Sequence, residues 1–263
     1  MIKMFLMNFR KIESLQNPKV KYAARLQKKS KFRSQENKIF LEGWHLLDEC
    51  FKNDPCSIET IFLVPELLEK KEAEILKNIK AEIFLVSPGI MGKISSTSTF
   101  TGIVGIAARP EIQQEKEDFV LFLEAIQDPG NLGTIVRTAS AAGVDAIFCD
   151  RKTTDPWSSK VLRSAMGGHF RVAIKIVQDL EKQMQNFEGE IFGTFMQGKS
   201  LFETDFPEKT AFVLGNEGGG ISKTLEKHCT QKITIPMRAG VESLNVGIAG
   251  GLCFYEYFRQ HYL

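Results

Sequence analysis

Three separated stretches hold the groups best suited to chemistry: DPGNLGTIVRTA at 128–139, LGNEGGGIS at 214–222 and IPMRAGVESLNVGIAGGLCFYE at 235–256. They offer Asn131 and Arg137, Asn216 and Glu217, and Ser243 and Asn245. Amides, a hydroxyl, a carboxylate and a guanidinium orient ligands and stabilise charge. A guanidinium donates without accepting and keeps its charge, so Arg137 suits a phosphate or an oxygen gaining negative charge. Ser164 in RSAMGG lacks the G-x-S-x-G frame. His45, His169, His228 and His261 stand in no nucleophile or metal spacing, so hydrolase chemistry has no support. The glycine run is not a phosphate loop: it does not close in G-K-[ST], and it does not read G-x-G-x-x-G. Its glycines allow a sharp turn and a close approach of main chain, to a ligand or within the turn itself.

The elements that must position these residues follow from pattern. FVLFLEAI, VDAIFCD, EIFGTFM, AFVLG and KITIP are near-continuous apolar runs, most separated by helical segments, with FRVAIKIV as a further strand. That alternation predicts a mostly parallel sheet covered on both faces, with ligands at the carboxyl ends of its strands. The first stretch passes through an Asp128-Pro129-Gly130 turn into a helix, with Asn131 expected as its cap and Gly143 as its left-handed stop. Leu132, Ile135, Val136 and Ala139 form the apolar stripe of that helix, and Arg137 projects roughly opposite. Ser243 is the expected cap of the last helix, where Gly247, Ala249, Gly250 and Gly251 imply close packing against a neighbour.

Upstream, from Gln16 to Ala108, a basic helical stretch is followed by KIFLEG, WHLLDECFK, SIETIFLV, PELLEKKEAEILKNI, AEIFLV and IVGIAA, read as strands and helices of a small α/β unit. PEIQQEKED, polar and opening with proline, reads as a linker. The expected organisation is 1–109, a linker at 110–118 and a second domain at 119–263. Within VKYAARLQKKSKFR, residues Lys19, Lys21, Arg25, Lys28, Lys29, Lys31 and Arg33 have no acidic neighbour and are interleaved with Tyr22 and Phe32. Phosphate contacts and base stacking are both available there; a solvated helix face accounts for the charge equally well. A net charge of +2 decides nothing about a nucleic-acid partner. Cys50, Cys56, Cys149, Cys229 and Cys253 form no CxxC pair. They read as reduced cytosolic thiols, not as a disulfide frame or a metal site, and a His45/Cys50/Cys56 set is not expected to hold metal. No run is long enough to span a bilayer, so no membrane partner is expected. MIKMFLMNFRK is too short for a secretory signal and leaves an organelle-targeting leader open.

In this order, the three stretches resemble the three motifs of the SpoU (TrmH-like) ribose methyltransferases of the SPOUT superfamily, over residues 119–263, and DPWSSKVLRSAMGGHF fits between the first two. ESLQNPKVKYAARLQKKSKFRSQENKIFLEGWHLLDE is similar, more loosely, to the substrate-binding domain of the same family. The resemblance implies a Rossmann-like parallel sheet with a deep C-terminal trefoil knot, S-adenosylmethionine as methyl donor, an RNA ribose 2′-hydroxyl as acceptor and a homodimer; the extra N-terminal domain favours ribosomal RNA. It assigns cofactor contacts to Gly215, Ile235 and Leu244, with Asn216, Gly218 and Met237 next. It assigns the reaction to Arg137, Asn131, Glu217, Ser243 and Asn245. Glu217 and Asn131 would orient Arg137 or the ribose, while Ser243 and Asn245 fix the acceptor and the loop. RNA would be held by Lys21, Arg25, Lys28, Lys29, Lys31, Arg33 and Arg163. Leu252, Phe254, Tyr255 and Phe258 of the final helix would join the dimer interface or line the domain's own core. Ser140 and Gly247 depart from the family pattern without touching these positions. The competing readings are a transfer-RNA methyltransferase, a non-catalytic RNA-binding or ribosome-assembly protein of the same fold, and a nicotinamide enzyme, whose fingerprint is missing.

Overall fold

In the computed structural model the described residues are 9–54, 57–97, 99–114 and 116–263, so Cys56 and most of MIKMFLMNFRK lie outside them. The chain forms two compact units, Met1–Pro110 with Trp157–Phe170, and Glu111–Pro156 with Arg171–Leu263.

The first unit runs β1 (Phe9–Ile12), α1 (Pro18–Lys28), α2 (Ser30–Glu36), β2 (Lys38–Glu42), α3 (Trp44–Asn53), β3 (Ile58–Leu63), β4 (Glu82–Val86), α4 (Pro88–Ile94) and β5 (Ile103–Ala108). Its sheet has the order β1-β4-β3-β5-β2. β4 is parallel to β1 and β3, and β5 is antiparallel to β3 and β2. Pro18 opens α1 behind Asn17, whose side chain accepts from Lys19 N, and the helix buries Val20, Ala23 and Leu26. The helix expected over PELLEKKEAEILKNI is instead two 3₁₀ segments, Pro65–Glu69 and Lys71–Lys77, divided by extended Lys70. Its buried residues are Leu67, Ala73, Leu76 and Ile79; at 100° per residue Leu67 falls opposite the other three, so no single face holds a continuous helix there.

The second unit holds β6 (Phe119–Leu123), α5 (Pro129–Ala141) and β7 (Ala146–Cys149). After α6 (Ser159–Ala165), which groups with the first unit, it continues with β8 (Ala173–Ile176), α7 (Leu180–Gln185), β9 (Glu190–Ser200), β10 (Thr210–Leu214), α8 (Lys223–Glu226), β11 (Gln231–Thr234) and α9 (Val246–Tyr262). Six strands in the order β11-β9-β10-β6-β7-β8 are all parallel. Alternate residues of each strand face opposite sides. Val120, Phe122, Ala211 and Val213 pack with Leu180, Met184 and Leu225 of α7 and α8. Phe119 and Phe212 meet Phe254 and Tyr257 of α9, with the Phe119 and Tyr257 rings stacked at 4.0 Å. Strand order reverses between β6 and β10, and the loops after those two strands emerge at the same carboxyl edge, where open α/β sheets take their ligands.

Candidate active site

At that edge the three motif stretches meet through side chains. Glu217 accepts hydrogen bonds from Gln127 N and Asp128 N, both 3.2 Å, and from Asn131 Nδ2 at 3.0 Å. Asn131 Oδ1 accepts from Asn245 Nδ2 at 2.8 Å. Asn245 Oδ1 in turn accepts from Gly247 N and Ile248 N, capping α9. Carboxylate, two amides and a helix start thus form one continuous chain. Burial works against the charge on Glu217, but the bonds from Asn131, its own main chain, Asp128 and Gln127 prevail and hold its carboxyl below the ordinary value of 4.5. It is an anion at neutral pH.

Two expected caps are corrected. Asp128, not Asn131, caps α5, accepting from Gly130 N at 2.7 Å and Asn131 N at 3.0 Å. Pro129 at the first helical position forces its predecessor into extended backbone, which makes Asp128 the capping residue and leaves the Asn131 side chain for Glu217. Likewise Asn245 caps α9 in place of Ser243, which is exposed in the preceding loop. The expected left-handed stop at Gly143 is present, at φ 77°.

The glycine loop divides its labour. A Cβ on Gly215 would lie 2.2 Å from the carbonyl carbon of Gly220 and 2.3 Å from Ile221 N, so the close approach there is made by the loop's own backbone. Asn216 holds the turn, donating from Nδ2 to Ala125 O at 2.9 Å and accepting from Gly218 N and Gly219 N. Ala125 itself sits at φ 53°, a left-handed conformation costly for a non-glycine residue and held here by Asn216 and by Asp150, whose Oδ1 accepts from Ala125 N.

Beside this chain lies a cavity of about 1090 Å³. Gly215, Asn216, Glu217, Gly218, Ile235, Met237, Ser243, Leu244, Asn245 and Asn131 all line it. Arg137 does not; it is exposed on α5 and pairs with no described residue. Glu217 and Asn131 therefore bond each other rather than Arg137. Six residues along a helix carry a side chain about 9 Å onward and about 240° around. Pattern reading missed the wall formed by Thr194, Phe195, Met196 and Gln197. There the register of β9 on β11 jumps, Gly193 pairing with Lys232 and Lys199 with Ile233, and the intervening residues form a bulge. Gly193 and Gly198, which bracket that stretch, were its only sequence mark.

A volume of this size, walled by Ile235, Met237, Leu244 and Phe195, by the main chain of 215–220 and by the carboxylates of Glu217, Glu226 and Glu242 with Lys223 and Lys232 beside them, fits a nucleoside joined to a cationic sulfonium. Among the described residues no group of three or more His, Cys, Asp or Glu could hold a metal ion, and the four described cysteines are free. No helix among them is long and apolar enough to cross a membrane.

The basic stretch of the first unit is less uniform than its sequence. Lys21, Lys28, Lys29 and Lys31 are exposed and pair with no described residue. Arg33 is a correction: it is buried, and its Nη1 donates to Leu26 O at 2.7 Å and Gln27 O at 2.9 Å, closing α1. Arg163 is another. Its Nη1 lies 3.3 Å from Glu42 Oε2 and bonds Ser96 Oγ, so its charge is committed to a carboxylate only 1% exposed. Phe32 is buried between the edge of Tyr22 and the guanidinium of Arg25, 4.0 Å from its ring, which withdraws it from base stacking. Tyr22 also donates to Glu36, and desolvation first, then that carboxylate, push its hydroxyl up to about 12.

Parallel strands that gather three loops over a nucleoside-sized cavity give an open α/β sheet with its ligand site at the carboxyl edge. Residues 118–255 match the model of the SpoU rRNA Methylase family, and residues 17–105 that of the MRM3-like substrate binding domain; the chain belongs to the SpoU rRNA methylase family. It is 33% identical over 253 residues to 23S rRNA (guanosine(2553)-2'-O)-methyltransferase RlmP of Bacillus subtilis (strain 168), covering 94% of this chain and 98% of that one. With 23S rRNA (guanosine-2'-O-)-methyltransferase RlmB of Escherichia coli (strain K12) it shares 26% identity over 236 residues, 83% of this chain and 97% of the other. An AdoMet-bound rRNA methyltransferase from Sinorhizobium meliloti superposes with a TM-score of 0.81 at 26% identity, over 97% of this chain and 99% of the other.

Proposed function

We propose that this protein transfers a methyl group from S-adenosylmethionine to a ribose 2′-hydroxyl of ribosomal RNA, as a cytoplasmic homodimer with a C-terminal trefoil knot. The observation that carries the reading is the hydrogen-bonded chain Glu217–Asn131–Asn245, which ties three motif loops together on the wall of the cavity. Family membership and the 23S rRNA methyltransferase activity of the relatives support the substrate. The bound cofactor supplies an already electrophilic methyl group, and the chain's own residues do the rest. Gly215, Asn216, Gly218, Ile235, Met237 and Leu244 would hold the donor. Asn131, Glu217, Ser243 and Asn245 would fix the acceptor and the loops around it. Arg137 would grip the adjoining phosphate and stabilise the oxygen as its proton passes to solvent water, since a guanidinium has no lone pair to act as base. On this reading Glu111–Pro156 with Arg171–Leu263 is the catalytic unit, and the first unit binds RNA through Lys21, Lys28, Lys29 and Lys31, with Arg25 at their edge.

Purified protein should move labelled methyl groups from S-adenosylmethionine to ribosomal RNA, and Arg137→Ala should abolish transfer while S-adenosylhomocysteine affinity stays nearly unchanged. A parallel loss of cofactor binding would refute the role given to the arginine. Methylation of transfer RNA alone would replace the acceptor, and cofactor binding without transfer to any RNA would favour a non-catalytic RNA-binding protein.

A further inference from the structure

The loop after β7 has no part in the reading above. It turns over Asp150–Thr154 at the same carboxyl edge as the 124–131 loop and is fixed to it. Asp150 Oδ1 accepts from Ala125 N at 3.0 Å, Thr153 N at 2.8 Å and Thr153 Oγ1 at 2.7 Å. Thr153 Oγ1 accepts from Ile126 N at 3.2 Å, and Thr154 N donates to Ile126 O at 2.8 Å. Gln127 then links the turn to the site: its Nε2 donates to Lys152 O at 2.8 Å while its own N donates to Glu217 Oε2. At the tip, Arg151 and Lys152 are both exposed, and neither side chain pairs with a described residue.

Adjacent surface cations are common and by themselves point to no ligand. These two differ because the backbone beneath them is one residue removed from the Glu217 chain, so the loop's geometry is set by the same bonds that set the site. Ordering that backbone costs nothing further when a ligand arrives. The surroundings also call for positive charge. Glu217, Asp128, Asp150 and Glu124 all stand on these loops, and a polyanion brought to the cavity would be repelled by them unless cations nearby offset the field.

We propose that Arg151 and Lys152 form a clamp for the phosphodiester backbone of the RNA strand flanking the acceptor ribose, a role that rests on the RNA methyltransferase reading. Two neighbouring phosphates would be held, one bidentate by the guanidinium and one by the ammonium as a point charge.

The test is the double variant Arg151→Gln/Lys152→Gln, assayed with in vitro-transcribed 23S ribosomal RNA across a salt series. The KM for RNA should rise about tenfold with kcat within about twofold, and the dependence of log affinity on log salt should become shallower by about 1.5, as expected for two lost phosphate contacts on a single strand. S-adenosylhomocysteine affinity and melting temperature should not change. The swap Arg151→Lys/Lys152→Arg should keep most of the wild-type KM. An unchanged KM and salt slope in the double variant would overturn the clamp, and so would a lowered melting temperature with a matching fall in kcat, which would give the turn a purely structural role. The underlying reading fails separately: wild-type protein that binds the RNA with a salt slope reduced in the variant, yet transfers no methyl group, keeps the clamp and loses the methyltransferase.

Discussion

Glu217 is the residue on which the site turns, because it collects three donors from the 127–131 segment and holds its charge while doing so. Asn131 passes that constraint on to Asn245. Asn131→Ala therefore removes one donor and one acceptor together. Bonds of this kind contribute about 0.5–1.5 kcal/mol when neutral and about 1.5–3 to a charged group. Here water reaches the groups left behind, so the stability loss should stay near 1 kcal/mol, a fall of about 2–4 °C in melting temperature. Methyl transfer should fall much further, by about a hundredfold, since small misplacements of reacting groups are costly. Thermal melts and single-turnover rates on the same samples separate the two effects. The carboxyl also sets a pH limit. Its folded value is depressed, so its contribution to stability is complete above the ordinary 4.5 and is lost as pH falls through the lower folded value. Denaturation curves at acid pH should show a smaller stability loss below about 4.5 in Glu217→Gln than in wild type. Part of the wild-type slope will survive in that variant, because Glu256, bonded first by Arg259 and also by Gln260, is depressed as well.

At the scale of elements, α9 carries glycines that helix propensity alone would reject. A Cβ on Gly247 would lie 3.1 Å from Thr134 of α5, and one on Gly250 would lie 2.8 Å from Leu214 Cδ1 and 2.9 Å from the Phe254 ring. A Cβ on Gly251 would meet only Thr138 Cγ2, at an ordinary 3.4 Å. Alanine gains up to about 1 kcal/mol over glycine inside a helix, while overpacking costs about 1–3 kcal/mol. Gly250→Ala should therefore destabilise the protein and Gly251→Ala should stabilise it, read as opposite shifts in denaturant midpoint at constant slope. The close packing behind this contrast was legible in the sequence, as were the strands of the second unit, because apolar runs and glycine spacing are local signals. What was not legible depended on distant partners. Nothing near Arg33 or Arg163 announces that a helix end and the buried Glu42 claim their charges. The β9 bulge exists only relative to β11. Caps fell three and two residues off because Pro129 selected Asp128 over Asn131, and because Asn245 lies nearer the true start of α9 than Ser243. Within the apolar set of that helix, Phe254 proved to be core while Tyr255 faces outward.

At the scale of the whole molecule, the proposed homodimer gives the exposed set a use. Ile248, Leu252, Tyr255 and Tyr262 share one face of α9 at helical spacing and are 54%, 36%, 50% and 61% exposed. Apolar and aromatic surface in that arrangement is the composition of an isologous interface, in which a stable pair needs about 800 Å² from each partner. A dimer through this face would also resolve the position of Arg137, which stands on α5 away from the cavity of its own chain: a second copy could deliver its guanidinium to the Glu217 chain of the first. Leu252→Arg/Tyr255→Glu should therefore yield monomers by light scattering and lose methyl transfer, while each folded monomer retains its helical content. Complementation tests the shared site more sharply. Arg137→Ala protein, inactive alone, and Asn131→Ala protein, reduced about a hundredfold, should recover activity when unfolded and refolded together, because the mixed dimer has one site carrying both substitutions and one carrying neither. With random pairing, half of the dimers are mixed and one of their two sites is intact, so recovery should approach about a quarter of the wild-type rate. Recovery to that level requires arginine and amide to come from different chains. If each site drew both residues from a single chain, every site in the mixture would carry one substitution or the other and the refolded sample would stay as inactive as its parents.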